Sequence, residues 1–153
     1  MKIDYPTITF FAGLFIIVGA MEHVGLLRMA AGVVKEASGG NFFIALSIIL
    51  WLSAFGSSIV DNVPFAATMA PILKHMSEAF GFPLLPLVWS TALGTDIGGN
   101  GTPIGASANV VAIAVYERGT IKKVGWGYYC KACYPAMMVV VAVCNLLLYL
   151  FYI

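Results

Sequence analysis

The apolar positions of this chain fall into four long runs separated by short polar connectors. A helix needs about 20 predominantly apolar residues to cross a bilayer. Residues 5–27 fit that length and predict a first membrane span, with Gly13 and Gly19 as small packing positions. Glu22, His23 and Arg28 mark its end near an interface. The connector RMAAGVVKEASGGN has room for a short interfacial helix, and its Ser38-Gly39-Gly40-Asn41 end reads as a helix stop followed by a new start. The second run, 42–73, is too long for one span and too short for two. Its middle, SSIVDNVPF, holds Asp61, Asn62 and Pro64. Proline removes a backbone donor, and Asp and Asn side chains can satisfy freed backbone groups. The pattern predicts a re-entrant hairpin over 42–73 with its tip at 61–64.

The third run, 83–116, contains GTDIGGNGTPIGASANVVAIAV. It carries Asp96, Asn100, Thr102, Ser107 and Asn109 among Gly94, Gly98, Gly99, Gly101, Gly105 and Pro103. Hydrocarbon cannot hydrogen-bond an unwound backbone, so such a stretch survives at membrane depth only inside protein or beside a wet cavity. The reading is a broken helix, unwound over 96–105. After the connector ERGTIKKVGWGYYCK comes a last span, 132–153, with Trp126, Tyr128, Tyr129 and Tyr134 as an aromatic belt at its start.

Composition agrees with a membrane protein. The 153 residues are 61% hydrophobic and 10% charged, against about 25% charged in a typical soluble domain. A net charge of +1 argues against a nucleic-acid partner, which wants a basic face. No cleavable signal peptide is expected, because the apolar run after MKID lacks a small-residue cleavage site with a polar continuation. If 42–73 re-enters, Lys2, Arg118, Lys122, Lys123 and Lys131 share one side, against Arg28, Lys35 and Lys74. The positive-inside rule then places the former side in the cytoplasm. If 42–73 crosses instead, the bias is two positives (Lys2 and Lys74) against the remaining six of the eight. Charge therefore does not choose between the topologies; the polar tip and the run length do. Cys130 and Cys133 form one C-x-x-C without a second Cys/His pair nearby, and they read as packing thiols.

Two polar interruptions carry the candidate chemistry. A charged group at membrane depth costs about 2.5–3.5 kcal/mol on insertion scales, so its presence implies a use. Asp61 and Asp96 are the expected protonatable or Na⁺-binding groups. Asn62, Asn100, Thr102, Ser107 and Asn109 are the expected further ligands. Pro64, Gly98, Gly99, Gly101, Pro103 and Gly105 are the expected unwinding positions, whose carbonyls and amides are exposed for binding. Half-helix N-termini near 65 and 106 present positive dipole ends, so an anion is the competing occupant. The ordinary readings are glycines for helix packing and Asp61 as an interfacial loop residue.

The strings VDNVPF and GGNGTPIGASANVV, with DYPTITFFAGLFIIVGAMEHVGLL before them, are similar to the carboxy-terminal repeat of the ArsB/NhaD-type ion transporters, in the branch containing the melanosomal P protein. The resemblance covers nearly the whole chain in order. It implies an all-α integral membrane protein and one inverted-repeat unit of a secondary transporter, in which a hairpin tip and a broken-helix tip meet at the substrate site. It places those tips at 61–64 and 98–103, with Ser107 and Asn109 following.

The expectation is therefore a carboxy-terminal half of a secondary active ion transporter, driven by Na⁺ or H⁺ in antiport or symport and needing no other cofactor. It would reside in the cell (inner) membrane as a multi-pass protein. Its expected partners are the lipid bilayer and a missing amino-terminal repeat or partner half; a homo-oligomer is left open. The alternatives are an anion or arsenite-type efflux permease and, from another class, an inactive fragment or scaffold subunit. No nucleophile–base pair or metal-ligand set suggests an enzyme.

Overall fold

In the computed structural model, residues 5–120 and 123–152 are described. The charge argument's Lys2 and Lys122 lie outside them. All regular structure among the described residues is helical: α1 Tyr5–His23, α2 Leu26–Ala37, α3 Phe42–Ser57, α4 Asn62–Phe80, α5 Leu84–Gly98, α6 Ser107–Gly119 and α7 Trp126–Tyr152.

The polar connectors act as helix ends. Gly25, at φ 79°, forms the elbow between α1 and α2. A left-handed backbone of this kind is cheap only for glycine. Helix α2 stops at Ser38, where Gly39 and Gly40 also take positive φ, and Asn41 caps α3 by accepting from the Phe43 and Ile44 amides at 2.9 and 3.3 Å.

The break in the second run comes earlier than its proline suggests. The chain leaves α3 after Ser57 and turns through residues 58–61. Asp61 then caps α4, accepting from the Val63 amide at 3.2 Å. Pro64 lies inside the first turn of α4, where a missing N–H has no intrahelical partner to lose. The third run differs in the opposite direction, with its break later than expected. Helix α5 continues through Asp96 to Gly98, and the non-helical stretch covers 99–106.

Helix α3 is the hub. It packs most extensively on α5, which also meets α4 and α7. Gly94 and Gly98 of α5 lie directly on the α3 backbone, at Leu50 and at Ala54. One apolar core gathers Leu27, Ala31, Leu46, Ile49, Leu73 and Met76 from α2, α3 and α4. A second joins Leu50 and Ala54 to Met137, Val141 and Leu148 of α7. Helix α6 stands apart: it has no buried residue and packs on no other helix among the described residues.

Among the described residues, α7 alone is a single helix long and apolar enough to cross a bilayer. The bent pair Ile8–His23 and Leu26–Ala37, at 67° to one another, passes the same test when taken together. Helix α3 is a shorter apolar helix. Many apolar side chains point outward, among them Ile16, Phe15, Val139 and Phe151. An exposed apolar surface of this extent suits hydrocarbon and not water.

Candidate functional site

The turn before α4 and the non-helical stretch before α6 meet each other. Asp61 Oδ2 accepts from the Ser107 amide at 3.0 Å, while its Oδ1 accepts from Val63. One carboxylate thus closes two helix N-termini, those of α4 and α6. Both termini carry unsatisfied amides and positive dipole ends, which is why a carboxylate rather than a hydroxyl suits the position.

Asn62 makes the next contact. Ser57 Oγ lies 2.8 Å from the Thr95 carbonyl and donates its one proton there. The Asn62 amide must then donate to Ser57 Oγ. In that orientation its Nδ2 is 2.6 Å from Ser57 Oγ, 2.9 Å from the Gly105 carbonyl and 3.2 Å from the Thr95 carbonyl. Three segments, α3, α5 and the 99–106 stretch, are therefore held by one side chain.

The non-helical stretch is itself tied down. Thr102 Oγ1 donates to the Ser58 carbonyl and accepts from the Gly105 amide at 3.1 Å. Asn109 Nδ2 reaches the Gly99 and Thr102 carbonyls at 2.8 and 3.1 Å. The glycines are needed for this closeness. A Cβ on Gly99 would strike the Asn62 amide, and one on Gly105 would come 2.6 Å from the Gly99 carbonyl and 3.0 Å from that of Ser57. Gly101 is pressed against Met137 and Tyr134 of α7, and Pro103 is buried.

Asp61, Asn62, Thr102, Ser107 and Asn109 are thus brought together with Gly99 and Gly105. Asp96 and Asn100 sit apart on exposed positions. The Asn100 amide turns back to the Asp96 carbonyl at 3.2 Å. Asp96 does border a pocket of about 320 Å³ with Asn62, Val63, Ala66, Ala92 and Thr95. Sequence reasoning missed Ser57, Ser58 and Thr95. Their signal was hydroxyl residues inside apolar runs, which is faint because threonine and serine are common in membrane helices. Cys130, Cys133 and Cys144 are free, and no cluster of His, Cys, Asp and Glu suited to a metal ion occurs among the described residues.

An all-helical fold among the described residues, with an outward apolar surface and two polar breaks joined to each other, has the character of an integral membrane protein. Comparison with known proteins agrees. The profile of the CitMHS family, citrate transporters, matches residues 1–94. The P protein of Mus musculus is 36% identical over 96% of this chain and 19% of its own length. An uncharacterized transporter of Mycobacterium tuberculosis is 40% identical over 76% of this chain and 28% of its own. A 46 kDa membrane protein of Mycobacterium leprae is 38% identical over 74% and 27%. No solved structure matches.

The chain belongs to the CitMHS citrate-transporter family, in agreement with the resemblance carried by VDNVPF and GGNGTPIGASANVV. Among these relatives, one is named as a transporter and another as a membrane protein. The chain spans less than a third of the length of these relatives.

Proposed function

We propose that this chain forms one repeat of a multi-pass secondary active transporter of the cell (inner) membrane, and that its two breaks make half of an ion or substrate site. The observation that carries this is the direct joining of the breaks: Asp61 to Ser107, Asn62 to Gly105, and Thr102 to Ser58. Discontinuous helices meeting in this way are the usual site architecture of secondary transporters. The 42–73 segment is read as the re-entrant hairpin and 83–116 as the broken helix. The other half of the site belongs to a partner repeat, which is consistent with relatives several times longer than this chain.

The proposed drive is a Na⁺ or H⁺ gradient, in antiport or symport. Asp96 is the proposed exchanging carboxylate. Asp61, engaged by two backbone amides, is the proposed clamp between the breaks; each of its oxygens still has a lone pair for an ion. Asn62, Asn100, Thr102, Ser107 and Asn109 are the proposed polar lining. A carboxylate anion such as the citrate of the family's name is the second reading, favoured by the two helix N-termini at Asp61. It is disfavoured at that point because Asp61 already neutralises them.

In the complete transporter, Asp96→Asn is expected to abolish Na⁺-dependent pH changes in proteoliposomes while leaving expression and folding intact. Unchanged exchange would remove Asp96 from the coupling site.

A further inference from the structure

A second cavity, also of about 320 Å³, lies at the elbow between α1 and α2, against the second half of α4. Lys74, on its wall, is about 18 Å along α4 from the start of that helix at Asn62, at about 1.5 Å of rise per residue. The cavity is therefore separate from the joined breaks. Both signs of charge line it: Arg28 and Lys74 against Glu22 and Glu78, with His75 beside them. Leu27 and Pro71 give it an apolar wall.

Little of this charge is satisfied within the protein. Lys74 and Glu78 form a loose pair at 3.8 Å with both side chains exposed, and such pairs contribute little. Glu22 and Arg28 make no ion pair among the described residues. The frame around them is nonetheless fixed. Phe80 packs edge-on against His75 at 5.9 Å, and Lys35 of α2 sits over the Phe80 ring, 4.3 Å from its centroid. These contacts pin α2 and the end of α4 on either side of the cavity.

Depth follows from cost. Arg28, Lys35 and Glu36 on α2 and Lys74 and Glu78 on α4 are all exposed, and each is expensive in hydrocarbon. This level of the molecule therefore lies among lipid headgroups. Helix α2 suits that depth: it buries Leu27, Ala31 and Val34, shows its charges outward, and turns 67° from α1.

The molecules that carry charge at this depth are phospholipids, and the cavity discriminates among their headgroups. An anionic headgroup meets like charge at Glu22 and Glu78. A trimethylammonium group has no N–H to donate. A primary ammonium donates up to three hydrogen bonds to carboxylates, and a phosphate accepts from a guanidinium in a bidentate fork. We infer that this cavity holds the headgroup of a phosphatidylethanolamine, with its phosphate on Arg28 and Lys74 and its ammonium on Glu22 and Glu78. The acyl chains run over the apolar surface of the elbow, where Val24, Leu26 and Met29 are exposed. The bound lipid braces the elbow against α4, whichever solute the joined breaks serve.

The test is native mass spectrometry of the purified chain in detergent, with dioleoyl phosphatidylethanolamine, phosphatidylcholine and phosphatidylglycerol as probes. Wild type is expected to retain one phosphatidylethanolamine with about tenfold or higher apparent affinity over the other two, the scale of a charge-assisted hydrogen bond. Glu22→Gln should abolish the preference over phosphatidylcholine. Arg28→Gln should weaken all three lipids by about tenfold. Glu36→Gln, exposed on the same helix but outside this cavity, should behave as wild type. Melting temperatures without lipid should match throughout, because the substituted positions are exposed. Equal retention of the three lipids by wild type overturns the inference. So does a preference unchanged in Glu22→Gln, or lost equally in Glu36→Gln. Displacement of the lipid by an equal concentration of soluble glycerophosphoethanolamine also overturns it, since the occupant is then a free solute.

Discussion

Gly98→Ala is expected to prevent α5 from seating on α3 and to leave little folded protein. A Cβ at this position would fall well inside the van der Waals envelope of the Ala54 carbonyl, carbonyl carbon and Cα. Those are backbone atoms in the last turn of α3, and they cannot swing aside as a side-chain end can. Overpacking a close-packed contact costs about 1–3 kcal/mol. The upper part of that range applies here, because the strain falls on the most extensive helix–helix packing among the described residues. Separation of the two helices would also pull Thr95 from Ser57 and Gly99 from Asn62. The measurement is the monodisperse yield and melting temperature in detergent. Gly13→Ala is the control, since a Cβ there meets nothing within 4 Å; it should be neutral or slightly stabilising, by up to about 1 kcal/mol for glycine to alanine in a helix. Wild-type behaviour of Gly98→Ala would show that α3 and α5 are not in backbone contact.

Asp61→Ala is expected to free α6 from the turn before α4. Its carboxylate contributes a cap to α4, worth about 1 kcal/mol, and a charge-assisted bond to the Ser107 amide, worth about 1.5–3 kcal/mol. No other helix holds α6 among the described residues, so the first-turn hydrogen bonds carry its attachment. Backbone amides of 107–119 should exchange with deuterium faster in Asp61→Ala than in wild type, while those of α3 and α5 stay protected. Asp61→Asn keeps one acceptor and should fall between the two. Unchanged exchange in α6 would show that Asp61 is not the clamp.

Much of this arrangement is legible in the sequence, for definite reasons. Breaks in an apolar run are conspicuous, and Gly39-Gly40-Asn41 and the glycines of 98–105 mark helix ends by chemistry that few residues share. The meeting of Asp61, Asn62, Thr102, Ser107 and Asn109 was anticipated through family resemblance, because contacts across dozens of residues leave no periodic signal. Pro64 misled in detail. Proline suggests an interruption, yet in the first turn of α4 it has no hydrogen bond to break. Asp96 misled similarly: its polarity suggested unwinding, whereas the glycines after it do the unwinding. Thr95 was invisible, since only a three-dimensional packing reveals a hydroxyl that is buried and has no partner. The isolation of α6, with Val110, Val111, Val115 and Tyr116 exposed, likewise depends on what packs where.

The central claim is that this chain holds half of a transport site. It is tested most directly by ion-gradient-driven uptake into proteoliposomes containing the chain alone or joined with a complementary repeat. The account predicts uptake, and its loss in Asp96→Asn, only when both halves are present. Equal uptake by the chain alone, or none from the joined halves, would contradict it.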